Sequence, residues 1–177
     1  MAGDANRSRQ FRQVCGRFAT GVTVILTEAE DGHIHGMTAN AFMSVSLEPL
    51  LIAVAVHRHG RMAQLMSRPD CTFTLSMLSH QQQHVAEAYA HSDRLPSAEH
   101  WEWPRASGPP VIGQAQAWMR CRVDHVTDAG DHLLVVSQAL AFQADTSRTP
   151  LVFYGGRYWE YLERQGDWAD DWLLLER

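Results

Sequence analysis

The feature that most limits the fold of this chain is a pair of long alternating segments joined by one short turn. Between Val111 and Val123, the residues Val111, Ala115, Ala117, Met119, Cys121 and Val123 point one way, while Gln114, Gln116, Arg120 and Arg122 point the other. A period of two marks a strand with one face buried. The stretch TDAGD then turns the chain into HLLVVSQALAF, a second run of similar length. Strands this long belong in barrels more often than in small flat sheets.

The remaining segments supply neighbours for these two. In GVTVILT, Val22, Val24 and Leu26 alternate with Thr23, Ile25 and Thr27, and Asp31-Gly32 marks a hairpin turn into HIHGMTAN. LLIAVAV, residues 50–56, is apolar on both faces, which suits a central strand covered on both sides. CTFTLSML, PLVFY and RYWEY bring the total to about seven strands. Helices are expected over residues 7–18, where Phe11, Val14, Cys15 and Phe18 share a face, and over 61–67 and 80–89. Residues 91–110 have no period and read as a long loop, a length that more often serves function than connection. Hairpins outnumber any βαβ rhythm, so the expected architecture is mainly β, an antiparallel barrel with peripheral short helices.

Size and charge exclude several classes. A length of 177 residues suits one buried core. The expected division is a flexible lead over 1–10, a domain over 11–162, and a tail over 163–177. That tail is expected to form a short helix with Trp168, Trp172 and Leu175 on one face. No stretch approaches the roughly 18 apolar residues of a membrane span, and the polar opening Met1–Gln10 has no signal core, so a cytoplasmic protein is expected. Cys15, Cys71 and Cys121 are odd in number and far apart, and read as small buried hydrophobes in a reducing compartment. A net charge of −5 with scattered Arg and Lys gives no footprint for nucleic acid.

Motifs narrow the chemistry further. His80 and His84, His57 and His59, and His33 and His35 are spaced as pairs, but none has a third ligand marked by spacing, and no metal site is expected. There is no G-x-S-x-G elbow, no G-x-G-x-x-G fingerprint and no Walker loop, so any nucleotide is held in another way. A different signal lies in GMTANAFMSVSLEPLLI, where a run of small and hydroxyl residues stands where a core would ask for larger ones.

Four blocks in order, FATGVTVILT, GMTANAFMSVSLEPLLI, GDH at 130–132 and PLVFYGGRY at 150–158, resemble the flavin reductase-like family across Phe11–Tyr161. Its members are reductase components of two-component flavin-dependent monooxygenases, built on a split β-barrel that binds FMN or FAD. The resemblance implies an antiparallel split β-barrel and hydride transfer from NADH or NADPH to the flavin. It also implies a homodimer and a monooxygenase component that receives reduced flavin.

By the same resemblance, Thr38, Ala39, Asn40 and Ala41 line the flavin ring, with backbone amides and the Thr and Asn side chains reaching its polar edge. Ser44, Val45 and Ser46 lie along the ribityl chain and ring edge. His57, Arg58, Gly60 and Arg61 face the phosphate, the arginines by charge-assisted hydrogen bonds and the glycine by freeing backbone amides. His132 contacts the nicotinamide and is the residue nearest catalysis, with Tyr154 and Gly155 as the adjoining wall. The chain departs from the family pattern at His59 and Met62, where Ser and Thr are expected, and at Ser76, where Asn is common. Ser79 and Gln82 are expected in support, and Trp101 or Trp103 as a lid over the nicotinamide side. Two other readings stay open. One is a flavin protein of the same fold that holds its cofactor tightly for electron transfer or sensing; the other is a cofactor-free scaffold whose tail binds a partner.

Overall fold

A computed structural model describes residues 2–90, 97–103 and 108–159. Helix α1 (Ala2–Cys15) leads into strands β1 (Thr20–Gly21), β2 (Thr23–Glu28), β3 (Ile34–Ala39), β4 (Phe42–Leu47) and β5 (Leu50–His57). Helix α2 (Arg61–Met66), strand β6 (Thr72–Met77), a 3₁₀ turn over His80–Gln82 and helix α3 (Gln83–Ala90) follow. The described residues end with β7 (Trp101–Glu102), β8 (Val111–Ile112), β9 (Ala117–Ala129), β10 (His132–Ala144), β11 (Val152–Tyr154) and β12 (Arg157–Trp159).

The main sheet has seven strands in the order β3-β2-β6-β9-β10-β5-β4, and every neighbouring pair is antiparallel. The expected mainly β, antiparallel architecture is therefore present. β3 and β4 are the two outer edges of this sheet, yet only Asn40 and Ala41 join them. Three Cα steps reach no further than about 11 Å, so the edges come together at that corner. A separate three-stranded sheet, β1-β11-β12, and the short pair β7-β8 sit beside the main one.

Two cores hold the sheet. On one face Ile25, Ile52, Val54, Val56, Phe73, Leu75, Cys121 and Val135 pack together, and α2 closes them with Met62, Ala63 and Met66. On the other face of β2, Val22, Val24 and Leu26 pack under Val85, Ala86 and Tyr89 of α3, with Ile112 and Leu151. A fully buried Phe or Leu contributes about 1.5–3 kcal/mol, so each cluster is substantial. Gly36 lets α3 approach: a Cβ there would lie 2.6 Å from Leu26 Cδ2 and from the Tyr89 ring.

Several expectations are corrected. The alternation from Val111 to Val123 is not one strand, because residues 113–116 break it. Gln114 has φ 58°, Val111 and Ile112 pair with β7, and regular pairing with β10 resumes at Ala117. Arg120, expected to face outward, is buried. The first helix begins at Ala2, earlier than residue 7 and inside the stretch expected to be flexible; Ala, Arg and Gln are good helix formers. The helix stops at Cys15, short of Phe18, and the expected stripe is exposed, with Phe11 69%, Val14 71% and Phe18 78% accessible; Cys15 is exposed where burial was expected. Trp168, Trp172 and Leu175 of the tail lie outside the described residues.

Candidate functional site

Cross-strand partners share a face of a sheet, and residues alternate along each strand. Ile52, Val54 and Val56 enter the first core, so Ala53, Ala55 and His57 point outward. The ladders set Met43 and Val136 beside Ala53, Leu134 beside Ala55, and His132 beside His57. The Ala55 N–H donates to the Ala41 carbonyl at 3.2 Å, which carries the row one residue past β4. The accessible small residues of this outer face are exposed Ala41 and half-buried Ala55, while Ala53 is only 1% accessible, and a pair of imidazoles stands two residues from Ala55, about 7 Å along the strand.

The imidazole end is built by a tight turn. Gly130 adopts φ 65° between the paired residues Ala129 and His132, a conformation that costs glycine nothing. His132 Nδ1 lies 2.8 Å from Asp131 Oδ1. With the proton on Nδ1 this is a donated hydrogen bond, and Nε2 is left as the free acceptor. The hydrogen bond and the charge of His132 hold the Asp131 carboxyl below its usual range. The His57 and His132 rings meet edge to face with centroids 5.5 Å apart, and His59 stands 5.8 Å beyond His57.

The other expected residues fall into groups. Thr38 faces the opposite side of β3, and its hydroxyl donates to the Ala86 carbonyl at 2.6 Å. That proton serves helix α3. The Ala39 carbonyl accepts from Thr23 Oγ1 at 2.7 Å, and Asn40 is exposed at the corner where the sheet edges meet. On β4, Val45 is the extra residue of a bulge between Ser44 and Ser46, and Ser46 Oγ accepts from the Glu48 N–H.

Arg58 donates from Nη2 to Asp128 Oδ1 at 2.6 Å, and its backbone N–H goes to the Asp131 carbonyl. The Gly60 amide, expected to be free, donates to the His57 carbonyl at 2.8 Å. Arg61 opens α2, donates to Gln64 Oε1, and its charge adds to burial in lowering the pKa of His35. Tyr154 and Gly155 stand apart, on the three-stranded sheet. Gly155 N–H donates to the Gly16 carbonyl and Arg17 reaches the Tyr154 hydroxyl. Among the described residues no ladder, hydrogen bond or ring contact joins them to His132.

The supporting residues have structural partners. Gln82 accepts from the Ser79 N–H and donates to the Gly113 carbonyl, and Ser76 Oγ accepts from the Ile112 N–H. Trp101 is half-buried and donates to the Tyr89 hydroxyl at 2.8 Å, which makes it an anchor of the second core; Trp103 is exposed. Two cavities, of about 230 and 340 Å³, lie beside β8 and α3; Gln82 and Trp101 line the second, and neither cavity touches the residues expected to hold the flavin or the nicotinamide. Among the described residues no group of three or more His, Cys, Asp or Glu side chains is arranged to hold a metal ion.

Ala53 and Ala55 are functional candidates that the sequence reading passed over. Their signal is the alternation of small and large residues inside LLIAVAV, which only the register of the ladder turns into a face. Such a face suits a planar, largely apolar ring. Short side chains admit the plane, main-chain groups border it, and imidazoles stand at one end, so the residues present fit a flavin ring.

Fold and face together define a mainly antiparallel β chain with small residues and a pair of imidazoles on one outer face. The family model for the flavin reductase like domain matches residues 15–161, and the chain belongs to that family. It is 38% identical over 163 residues to an NADH-dependent flavin reductase of Rhodococcus sp, covering 90% of each chain. It is 33% identical over 150 residues to the NADH-dependent flavin reductase StyB of Pseudomonas fluorescens, covering 84% of this chain and 86% of that one. Among solved structures it is similar to the Streptomyces globisporus NADH:FAD oxidoreductase SgcE6 in complex with NAD and FAD fragments. That match has a TM-score of 0.82 at 31% identity and covers 88% of this chain and 93% of that one.

Proposed function

We propose that this chain is an NAD(P)H-dependent flavin reductase that transfers hydride from NADH or NADPH to FMN or FAD and supplies reduced flavin to a separate monooxygenase component. The observation that carries the reading is the alanine-floored outer face of β4, β5 and β10 with His132 at its end. A flavin seated there would supply the ring that accepts the hydride, which is two electrons carried with one proton. The chain supplies orientation, because hydride transfer needs the reacting atoms about 3–3.5 Å apart.

In this reading Ala41 and Ala55 keep the slot flat, and the main chain of Ala39–Ala41 borders the ring. Ser44, Val45 and Ser46 follow the ribityl chain. Arg61 is the better placed phosphate ligand, since Arg58 is already paired with Asp128. His132 directs the nicotinamide through Nε2, and Tyr154 with Gly155 forms its wall. The near meeting of β3 and β4 supports a split β-barrel. The exposed Phe11 and Val14 of α1 and Phe18 just after it, with Met43, Val45, Leu47 and Phe142, support a homodimer, since large apolar side chains gain most from a partner. No described helix is long and apolar enough to cross a membrane, and the reading places the chain in the cytoplasm.

The test is NADH and NADPH consumption by purified protein with FMN, FAD or riboflavin added. The expected result is turnover that rises with flavin and falls about a hundredfold in His132→Ala, the scale of a lost orienting contact. Turnover indifferent to flavin and to that substitution would overturn the proposal. Flavin that stays bound through gel filtration without nicotinamide turnover would select the electron-transfer reading.

A further inference from the structure

Asp131 restrains His132 at a single nitrogen. Its side chain is 80% exposed and it sits in the turn, and pairs so exposed are worth little by themselves. A ring held only there still swings about its Cα–Cβ bond. The second restraint comes from the neighbouring strand. His57 is the direct ladder partner of His132, and the two rings meet at 79°, the edge-to-face arrangement that aromatic pairs favour.

His57 is exposed but has neighbours of its own. His59 packs on it at 60°, and the next residue, Arg58, is fastened to the turn by its backbone bond to Asp131 and by its guanidinium bond to Asp128. The charged and titratable groups around the pair are therefore His59, Arg58, Asp128 and Asp131. β5 is paired on both sides, to β4 and to β10, so the brace stands on the rigid part of the sheet.

We propose that His57 is a positioning residue for His132. Its ring braces the His132 imidazole from β5 while Asp131 holds Nδ1, and the two restraints together fix the direction of Nε2. The inference deepens the reductase reading and rests on it only for what Nε2 is aimed at. It also gives position 57 a task different from the phosphate contact expected of it.

The test compares His57→Ala, which removes the ring, with His57→Phe, which keeps a ring edge but no ionisable group. In flavin-free protein, nitrogen NMR of the His132 ring reads its orientation directly. Wild type and His57→Phe are expected to show one fixed Nδ1-protonated tautomer, and His57→Ala an exchange-averaged pair. In steady-state assays, kcat/KM for the nicotinamide falls about tenfold in His57→Ala, the upper worth of one ring pair, while KM for flavin moves less than about twofold. His57→Phe recovers to within about threefold of wild type on the same scale.

Unchanged His132 resonances in His57→Ala overturn the proposal. So does a His57→Phe protein as impaired as His57→Ala, because the effect would then follow polarity and not the ring. A wild type without flavin-stimulated nicotinamide oxidation sinks the reductase reading, and the NMR comparison then still decides the brace.

Discussion

The hydroxyl of Thr38 donates to the Ala86 carbonyl across 2.6 Å, tying an edge strand to helix α3. Thr38→Val keeps the shape and removes this bond between β3 and α3. The expected cost is about 1–2 kcal/mol of stability, read by denaturant unfolding. Flavin saturation should stay within about twofold, because only the backbone of Thr38 lies near the slot.

Ala55 lies in the middle of the outer row, half-buried between Ala41 and Leu134. Ala55→Leu places a branched side chain where a ring plane is proposed to rest. Overpacking of this kind costs about 1–3 kcal/mol, so KM for flavin should rise about ten- to hundredfold. Thermal stability should change far less, since the added atoms point away from the first core.

The Asp131 carboxyl titrates below its reference value of 3.8, first because of the hydrogen bond from His132 and then because of that ring's charge. A lowered folded value means that the pair contributes fully above the unfolded value and is lost as pH falls through the folded one. Carbon NMR titration should find the Asp131 midpoint below 3.8. His132→Ala should return it toward that reference, and an unmoved midpoint would remove His132 as the cause.

Thiol chemistry separates the three cysteines. Burial pushes the Cys121 thiol up to about 12, and Cys71 is also buried, whereas Cys15 is exposed. Alkylation at mildly alkaline pH follows thiolate content and access. One thiol should react promptly and the other two only after unfolding, with Cys15→Ser abolishing the prompt phase.

Local pattern carried much of this fold. The alternation in GVTVILT and the Asp31-Gly32 turn define β2 and β3, and Gly130 with Asp131 sets the hairpin before His132. What stayed hidden depends on partners distant in sequence. Residues 113–116 continue an apolar-polar rhythm, and only the left-handed backbone at Gln114 breaks the strand. Thr38 finds its partner 48 residues away, and the outward turn of Ala53 and Ala55 follows from register against β4 and β10. The stripe on α1 reads as a packed face, yet no described part of the same chain covers Phe11 and Phe18. Sequence spacing reports that a face exists and does not report what meets it.

The link Asn40-Ala41, which joins the two outermost strands, also limits how this sheet can breathe. Its lips cannot part at that corner, where Ala39 and Ala41 are each pinned by a hydrogen bond to a neighbouring strand, so any widening has to begin at the far end of the seam. Amide exchange should therefore be slowest at the Ala55 N–H and faster toward the free ends of β3 and β4. A guest lodged against this corner would lean on the stiffest point of the wall.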